Sequence, residues 1–159
     1  MTIDDRHSII PAVWVVVQNS ENQVFLLRRA NTGWRDGSWT VPAGHIEKDE
    51  GPTAAAIREL KEEAGLDITA EQLETPLVYF HPEDSKVNER VSVFFTLKNF
   101  TGTPMNTEPH KADKAGWFDL ANLPTELPPM LRQAFKDMAE GIHYSERYYD
   151  SELHKELLQ

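Results

Sequence analysis

An α/β fold is predicted from three features of the sequence. Short segments rich in β-branched and aromatic residues are typical of buried strands, and they alternate with two segments that favour helix. No internal repeat and no low-complexity linker divides the chain. Its 159 residues, 40% hydrophobic and 26% charged, suit one ordinary globular domain. We therefore expect a single α/β domain over residues 1–159.

The elements follow in order along the chain. The apolar segments 13–17 and 24–27 are separated by a polar turn, which predicts a β-hairpin. Residues 53–64 are predicted to form a helix, because Pro52 suits a first turn and Gly65 suits a C-terminal cap. The other predicted elements are an extended piece at 39–42, strands at 77–80, 91–97 and 116–118, and helices at 128–140 and 151–158.

The charge balance limits the classes of partner. Lys and Arg number 16 and Asp and Glu 26, a formal net charge of −10, which disfavours nonspecific binding to nucleic acid or an anionic membrane. A phosphorylated substrate would need a cation to mediate its binding to so acidic a chain. The absence of cysteine excludes disulfides and thiolate chemistry. The start of the chain does not resemble a signal peptide, and the longest apolar run, 9–17, is too short to span a bilayer, so a cytoplasmic location is expected.

Three glutamates share one side of the predicted helix 53–64. At about 100° per residue, Glu59, Glu62 and Glu63 fall within an arc about 100° wide. Like charges at this spacing repel, by roughly 0.2–0.5 kcal/mol a pair on an exposed helix, and a hard cation such as Mg²⁺ would remove the repulsion. A solvated face, neutralised in part by Arg58, is the alternative. The separate apolar arc, expected to face a sheet, contains Ala56, Ile57, Leu60 and Ala64.

The spacing around these glutamates resembles the signature of the Nudix hydrolases. Residues 44–66 agree with that signature at every defined position, from Gly44 through the helix to Gly65 and Leu66. The resemblance implies an α/β/α sandwich around a mixed β-sheet. It also implies a pyrophosphohydrolase that acts on a nucleoside diphosphate linked to another group, with Mg²⁺ or Mn²⁺ as cofactor.

The resemblance also assigns roles to residues of the motif. Glu59, Glu62 and Glu63 would bind the metal or activate water, and the carbonyl of Ala43 would be a further metal ligand. Positions expected to support the motif structurally are Gly44, Glu47, Glu50, Arg58 and Gly65.

Further candidates lie outside the helix. Family members often recruit another acid or base, and Glu108 is the candidate here. Trp34, in a polar loop, is the candidate for stacking on a base. The other substrate-binding candidates are Arg29, Arg35, His45 and Lys111.

The resemblance leaves the substrate open between classes. A small MutT-like member favours a nucleoside triphosphate or oxidised nucleotide, cleaved to the monophosphate and pyrophosphate. ADP-ribose or another nucleoside diphosphate derivative is the alternative, with Pro82 as its only sequence support. A noncatalytic nucleotide sensor is the alternative of another class, and the intact glutamates favour the enzyme. A homodimer is compatible with the sequence.

Overall fold

The computed structural model describes residues 6–81 and 89–146. Pro82 and the predicted helix 151–158 lie outside these residues. Within them, the helices are α1 (Pro52–Ala64) and α2 (Pro129–Ala139), with a 3₁₀ turn at Ala70–Gln72. The strands are β1 (Ile10–Val17), β2 (Gln23–Arg29), β3 (Trp39–Thr40), β4 (Ala43–His45), β5 (Leu77–His81), β6 (Arg90–Leu97), β7 (Ala112–Asp119) and β8 (Tyr144–Glu146).

The strands form a larger sheet A and a smaller sheet B in the described part of the chain. Sheet A has the spatial order β4-β1-β6-β5-β8, and sheet B the order β3-β2-β7. In sheet A, β1 runs parallel to β6 along its whole length and antiparallel to β4. This mixture of parallel and antiparallel pairs confirms the predicted mixed sheet.

Side chains of β1 and β2 alternate between two apolar cores. Val13, Val15 and Phe25 pack with α1 on one face, whereas Val16 and Leu26 pack with α2 on the other. A strand places successive side chains on opposite faces, so a strand apolar throughout must be covered on both. The sheets therefore lie between the helices, which confirms the α/β/α sandwich.

The predicted hairpin between 13–17 and 24–27 is wrong. β1 belongs to sheet A and β2 to sheet B, and a single described bridge, Gln18 to Val24, connects their ends. β1 pairs with β6 along its whole length on one edge and with β4 through three residues on the other, whereas β2 pairs with β3 and β7. A polar turn indicates where a strand ends but not which strand pairs with it.

Other strands differ from the prediction in length or were not predicted. β7 begins at Ala112 rather than at 116. The prediction missed its first half because these residues are mostly exposed and lack apolar alternation. β4 and β8 were not predicted, and each has only three residues. Such short strands form because a longer neighbour offers free backbone groups, which sequence periodicity does not reveal.

Helix α1 begins and ends where the sequence predicts. Pro52 occupies its first turn, and Gly65 closes it in the left-handed conformation at φ 66°. Its buried face, however, contains Ala55 and Glu59 where the predicted apolar arc had Ile57, which is only half buried. The helix is thus rotated so that Glu59 rather than Ile57 faces the protein. No helix among the described residues combines the length and apolarity needed to cross a membrane.

Candidate functional site

Strand β4 and helix α1 bring the backbone at Gly44 against the side chain of Glu59. β4 is fixed to β1 by pairing of Gly44 with Val13 and of His45 with Ala12. A Cβ atom at Gly44 would lie 1.9 Å from Oε1 of Glu59, far inside contact distance. Only glycine therefore lets the Glu59 carboxylate reach this position.

Glu63 is the most perturbed carboxylate of the site. Its Oε2 accepts a hydrogen bond of 2.8 Å from the backbone N–H of Ala43. Burial raises the pKa of Glu63 to about 8; the Ala43 bond lowers it, while the charges of Glu59 and Glu108 raise it further. A buried carboxyl beside other carboxyls holds its proton, since the charged form is poorly solvated.

Glu59, whose charge acts on Glu63, is buried, with 8% of its surface exposed. Its Oε1 accepts a 2.6 Å hydrogen bond from Nη1 of Arg58. Burial nevertheless raises the pKa of Glu59, because the opposing effect of Arg58 is smaller and Glu62 and Glu108 add repulsion.

Arg58 connects α1 to the preceding loop. Its Nε and Nη2 donate to the two oxygens of Glu50 at 2.8 and 2.9 Å, and Nη2 also donates to the carbonyl of His45 at 3.1 Å. This bidentate contact, with a further bond from the Glu47 N–H, lowers the pKa of Glu50 to about 2. The arrangement agrees with structural roles for Arg58 and Glu50.

The remaining acids of the motif lie at the rim. Glu62 has its side chain 50% exposed and its carboxylate 3.4 Å from Arg58. Glu47 is exposed. The structure therefore brings Glu59 and Glu63 together against the loop and leaves Glu62 and Glu47 facing solvent.

The loop before β7 closes the C-terminal end of α1. Thr107 donates its N–H to the carbonyl of Glu63 at 3.3 Å and its hydroxyl to that of Glu62 at 2.6 Å. Carbonyls at the end of a helix need such partners. The contact places Glu108 in a small cavity with Glu63 and Lys111, whose Nζ lies 2.8 Å from Oε1 of Glu108.

A larger cavity, of about 250 Å³, adjoins the glycine loop. Arg29, Trp34 and Arg90 line this cavity. The guanidinium carbons of Arg29, Arg35 and Arg90 lie 4.8, 5.3 and 5.5 Å from the ring centroid of Trp34. His45 also lines it, and burial together with the charge of Arg90 lowers the pKa of His45. Arg90 was not among the sequence candidates, because only the pairing of β6 with β1 brings it here.

The donors at this site fit a hard divalent cation. Carboxylate oxygens are the ligands that Mg²⁺ prefers, and the space kept open by Gly44 holds one of them at the loop backbone. Within residues 6–81 and 89–146, no three Asp, Glu or His side chains are already grouped to hold one ion. Arg58 donates to Glu59 and the Ala43 N–H donates to Glu63, and these bonds hold the two carboxylates at the loop.

Comparison with known proteins identifies the fold family. The family model of the NUDIX domain matches residues 9–139. This chain belongs to the NUDIX domain family. The match includes the whole of the signature-like segment and both helices of this NUDIX domain.

Individual relatives share shorter segments or the fold alone. Nudix hydrolase 25 from Arabidopsis thaliana is 46% identical over 61 residues, which are 38% of this chain and 33% of that protein. An 8-oxo-dGTP diphosphatase from Proteus vulgaris is 39% identical over 54 residues, which are 34% of this chain and 48% of that protein. The MutT protein of Methanosarcina mazei Go1 superposes with a TM-score of 0.73 at 18% identity, over 86% of this chain and 96% of that one. The matches thus span less than half of the curated relatives' length, and the superposition shows a shared NUDIX fold.

Proposed function

We propose that this protein is a Mg²⁺-dependent pyrophosphohydrolase that cleaves a nucleoside triphosphate, or its oxidised form, to the monophosphate and pyrophosphate. The observation that supports this most strongly is the pair of carboxyls held against the Gly44 loop, the buried Glu59 and the partly buried Glu63, both with raised pKa values. The name of the Proteus vulgaris relative, an 8-oxo-dGTP diphosphatase, supports the substrate class.

The carboxylates would hold the cation. Glu59, Glu62 and Glu63 supply oxygens, and the Ala43 carbonyl lies on the strand that faces them. Mg²⁺, when bound, supplies positive charge that neutralises phosphate oxygens in the transition state. Arg58 fixes the helix relative to the loop, so the carboxylates keep their spacing.

The reaction needs a base for the attacking water. In the proposed step, the water oxygen forms a bond to phosphorus, the anhydride P–O bond breaks and pyrophosphate leaves. A carboxylate of Glu59 or Glu108 accepts the proton of the water. Arg29 and Lys111 line the cavity that contains Glu63 and Glu108, where they would contact phosphate oxygens.

The decisive experiment is a substrate panel with the Glu63→Gln variant. Wild-type protein is assayed with Mg²⁺ and with Mn²⁺ on nucleoside triphosphates, oxidised nucleotides and ADP-ribose, and the products are identified. We expect triphosphates to yield pyrophosphate, and Glu63→Gln to reduce kcat by 100-fold or more while the variant stays folded. Glu21→Gln, at an exposed turn, is the matched control.

Other outcomes of the same panel would replace the proposal. Preferential cleavage of ADP-ribose would assign the alternative substrate class. Nucleotide binding without turnover, at saturating Mg²⁺, would indicate a sensor. Near-normal activity of Glu63→Gln would contradict the role given to the buried carboxyls.

A further inference from the structure

The loop before β7 is attached to the last turn of helix α1 by three hydrogen bonds. The N–H of Met105 donates to the carbonyl of Ala64 at 3.1 Å. The N–H of Thr107 donates to the carbonyl of Glu63 at 3.3 Å, and its hydroxyl donates to that of Glu62 at 2.6 Å. Carbonyls of the last turn have no partner within their own helix, so this loop completes the helix that carries the glutamates.

Gly65 leaves room for this attachment. It follows α1 at φ 66°, and a Cβ atom on it would lie 3.0 Å from Cγ2 of Thr107. That distance is shorter than an ordinary van der Waals contact, so a larger residue would press the threonine away from the helix. The glycine therefore serves both the end of the helix and the close approach of the loop.

The other side of the loop is fixed to strand β7 through Asn106. Its Nδ2 donates to the carbonyl of Ala112 at 2.7 Å, and its Oδ1 accepts the N–H of Glu108 at 3.1 Å. The N–H of Ala112 donates in turn to the carbonyl of Glu108 at 3.1 Å. Both backbone polar groups of Glu108 are therefore bonded, which fixes its main chain relative to β7.

These attachments determine where the Glu108 side chain lies. Glu108 lines the small cavity with Glu63 and Lys111, and its charge acts on both Glu59 and Glu63. Thr107 directly precedes Glu108, so a shift of Thr107 relative to α1 passes to Glu108 through one planar peptide unit. Because a misplacement of about 1 Å in a reacting group can cost about 100-fold in rate, the separation of this loop from the helix matters for catalysis.

We propose that Thr107 is a positioning residue, which holds Glu108 beside Glu63 by bonding its hydroxyl to the last turn of α1. This assignment rests on the proposed function and deepens it. Thr107 acts through Glu108 and not by contact with the substrate. The hydroxyl bond joins Thr107 to Glu62 across 45 positions of the chain, so it couples the glutamate helix to a carboxylate from outside it.

A double-mutant cycle tests whether Thr107 acts through Glu108. Thr107→Val removes the hydroxyl but keeps the branched shape and the backbone N–H. We expect kcat to fall about tenfold and KM to stay within about twofold, because the carboxylate of Glu108 is displaced while the phosphate contacts remain. Glu108→Gln should lower kcat by about 100-fold or more. The double variant should lie within about twofold of Glu108→Gln alone, because Thr107 then has no carboxylate to position.

Two threonine substitutions serve as matched controls. Thr107→Ser keeps the hydroxyl and should hold kcat within about threefold of the wild type. Thr69→Val removes the hydroxyl of an exposed threonine at the start of the 3₁₀ turn Ala70–Gln72, and it should keep kcat within about twofold. If Thr107→Val does not fold, Thr107→Ala takes its place in the cycle.

Four results would overturn the proposal. The first is an effect of Thr107→Val that persists in full in the Glu108→Gln background, since such an effect does not pass through Glu108. The second is near-normal kcat in either single variant. The third is a raised KM with unchanged kcat in Thr107→Val, which would indicate a direct contact with the substrate. The fourth is a loss in Thr107→Ser equal to that in Thr107→Val, which would assign the effect to the methyl group.

Amide hydrogen exchange separates this proposal from the proposed function. It is measured by NMR on metal-free protein, which requires no turnover. The protection factors of the Thr107 and Glu108 amides should fall about 3- to 10-fold in Thr107→Val, because the loop then opens from α1 more often, and should keep their wild-type values in Thr69→Val.

The exchange result distinguishes the failure of one proposal from that of the other. Unchanged protection in Thr107→Val would overturn the role of Thr107, whatever the protein hydrolyses. Reduced protection in a protein that hydrolyses no nucleotide would support the attachment of the loop while the proposed function fails. Triphosphate hydrolysis that needs Glu63 but not Thr107 would overturn the role of Thr107 and leave the proposed function standing alone.

Discussion

At the scale of single residues, Glu63 is partly buried and forms no ion pair within 4.0 Å with any residue of 6–81 or 89–146. Its close partner is the Ala43 N–H, while Lys111 acts on it only through longer-range attraction. Desolvating a carboxylate without a paired cation costs several kcal/mol, or else the group keeps its proton. Such a position is unfavourable for stability alone and is typical of a functional carboxyl.

Glu63 is expected to make the metal-free protein less stable as pH rises. Its pKa in the folded protein, about 8, lies above the ordinary glutamate value of 4.5. Between these values the folded state holds a proton that the unfolded state has released, so the free energy of unfolding falls as pH increases. Glu63→Gln removes this loss. We measure urea unfolding in the presence of EDTA. Between pH 5 and pH 8.5, the free energy of unfolding of the variant should rise by a few kcal/mol relative to that of the wild type. A difference that does not change with pH would contradict the raised pKa.

Gly44 is expected to be needed for the position of Glu59. In Gly44→Ala the new Cβ would lie 1.9 Å from Oε1 of Glu59, so the carboxylate must move away from the loop. We expect kcat to fall at least tenfold and stability to fall by about 1–3 kcal/mol. Both are measured on purified protein by steady-state kinetics and urea unfolding.

Gly51→Ala is the matched control for Gly44→Ala. Gly51 precedes α1 with φ −93°, and a Cβ there would meet open space. It should keep kcat within about twofold and lose less than about 1 kcal/mol of stability. Equal effects of the two substitutions would contradict a specific contact with Glu59.

At the scale of elements, helix α1 and the loop before it act as one unit. The loop turns back on the helix, so that Glu50 meets Arg58 in a bidentate contact while β4 holds the other end of the loop. The side chains of Arg58 and Glu50 are mostly buried, 23% and 15% exposed. Partly buried, hydrogen-bonded pairs of this kind stabilise more than exposed ones.

Arg58→Lys is expected to loosen this unit. Lysine keeps the charge but lacks the planar fork, so it cannot bond both oxygens of Glu50 and the His45 carbonyl together. We expect a loss of about 1–3 kcal/mol in urea unfolding together with reduced kcat. Lys61→Ala is the control, because the Lys61–Asp67 pair is 67% and 79% exposed and should contribute under about 1 kcal/mol. Similar losses in both variants would argue against a special role for Arg58.

The prediction of elements succeeded where signals are local. Pro52 and Gly65 fix the ends of α1 through their own backbone preferences, and the observed bounds follow them. The hairpin was wrong because strand pairing depends on which edges are free, and β6 lies far along the chain from β1. The side of α1 that faces the protein was also misjudged, since Glu59 rather than Ile57 is buried.

At the scale of the whole molecule, the two helices of the sandwich pack on different cores, and only α1 carries the candidate site. α2 packs on a largely apolar core that includes Trp14 and Leu131. α1 packs on the other core and presents its glutamates to the loop between β4 and the helix. Arg29 lines the small cavity with Glu63 and the larger cavity with Trp34 and Arg90, so opposite charges adjoin there.

Magnesium is expected to stabilise the folded protein as a whole. A ligand that binds only the native state at 100 times its Kd adds about 2.7 kcal/mol, which corresponds to a rise in Tm of about 5–10 °C for a chain of this length. Differential scanning calorimetry with Mg²⁺ against EDTA at matched ionic strength should show this rise. Glu63→Gln should lose most of it and Glu21→Gln should retain it. The same rise in Glu63→Gln would mean that the ion binds elsewhere.

The sequence by itself determined the family signature, the ends of α1, the three glutamates on that helix and the excess of acid. These follow from local spacing, backbone preference and composition, which need no knowledge of the remaining chain. Only the tertiary structure decided that Glu59 is buried, Glu63 partly buried and Glu62 exposed, and that Arg90 joins Arg29 and Arg35 at Trp34. Solvation and charge–charge distance depend on which distant strands pack together, and no local pattern contains that information.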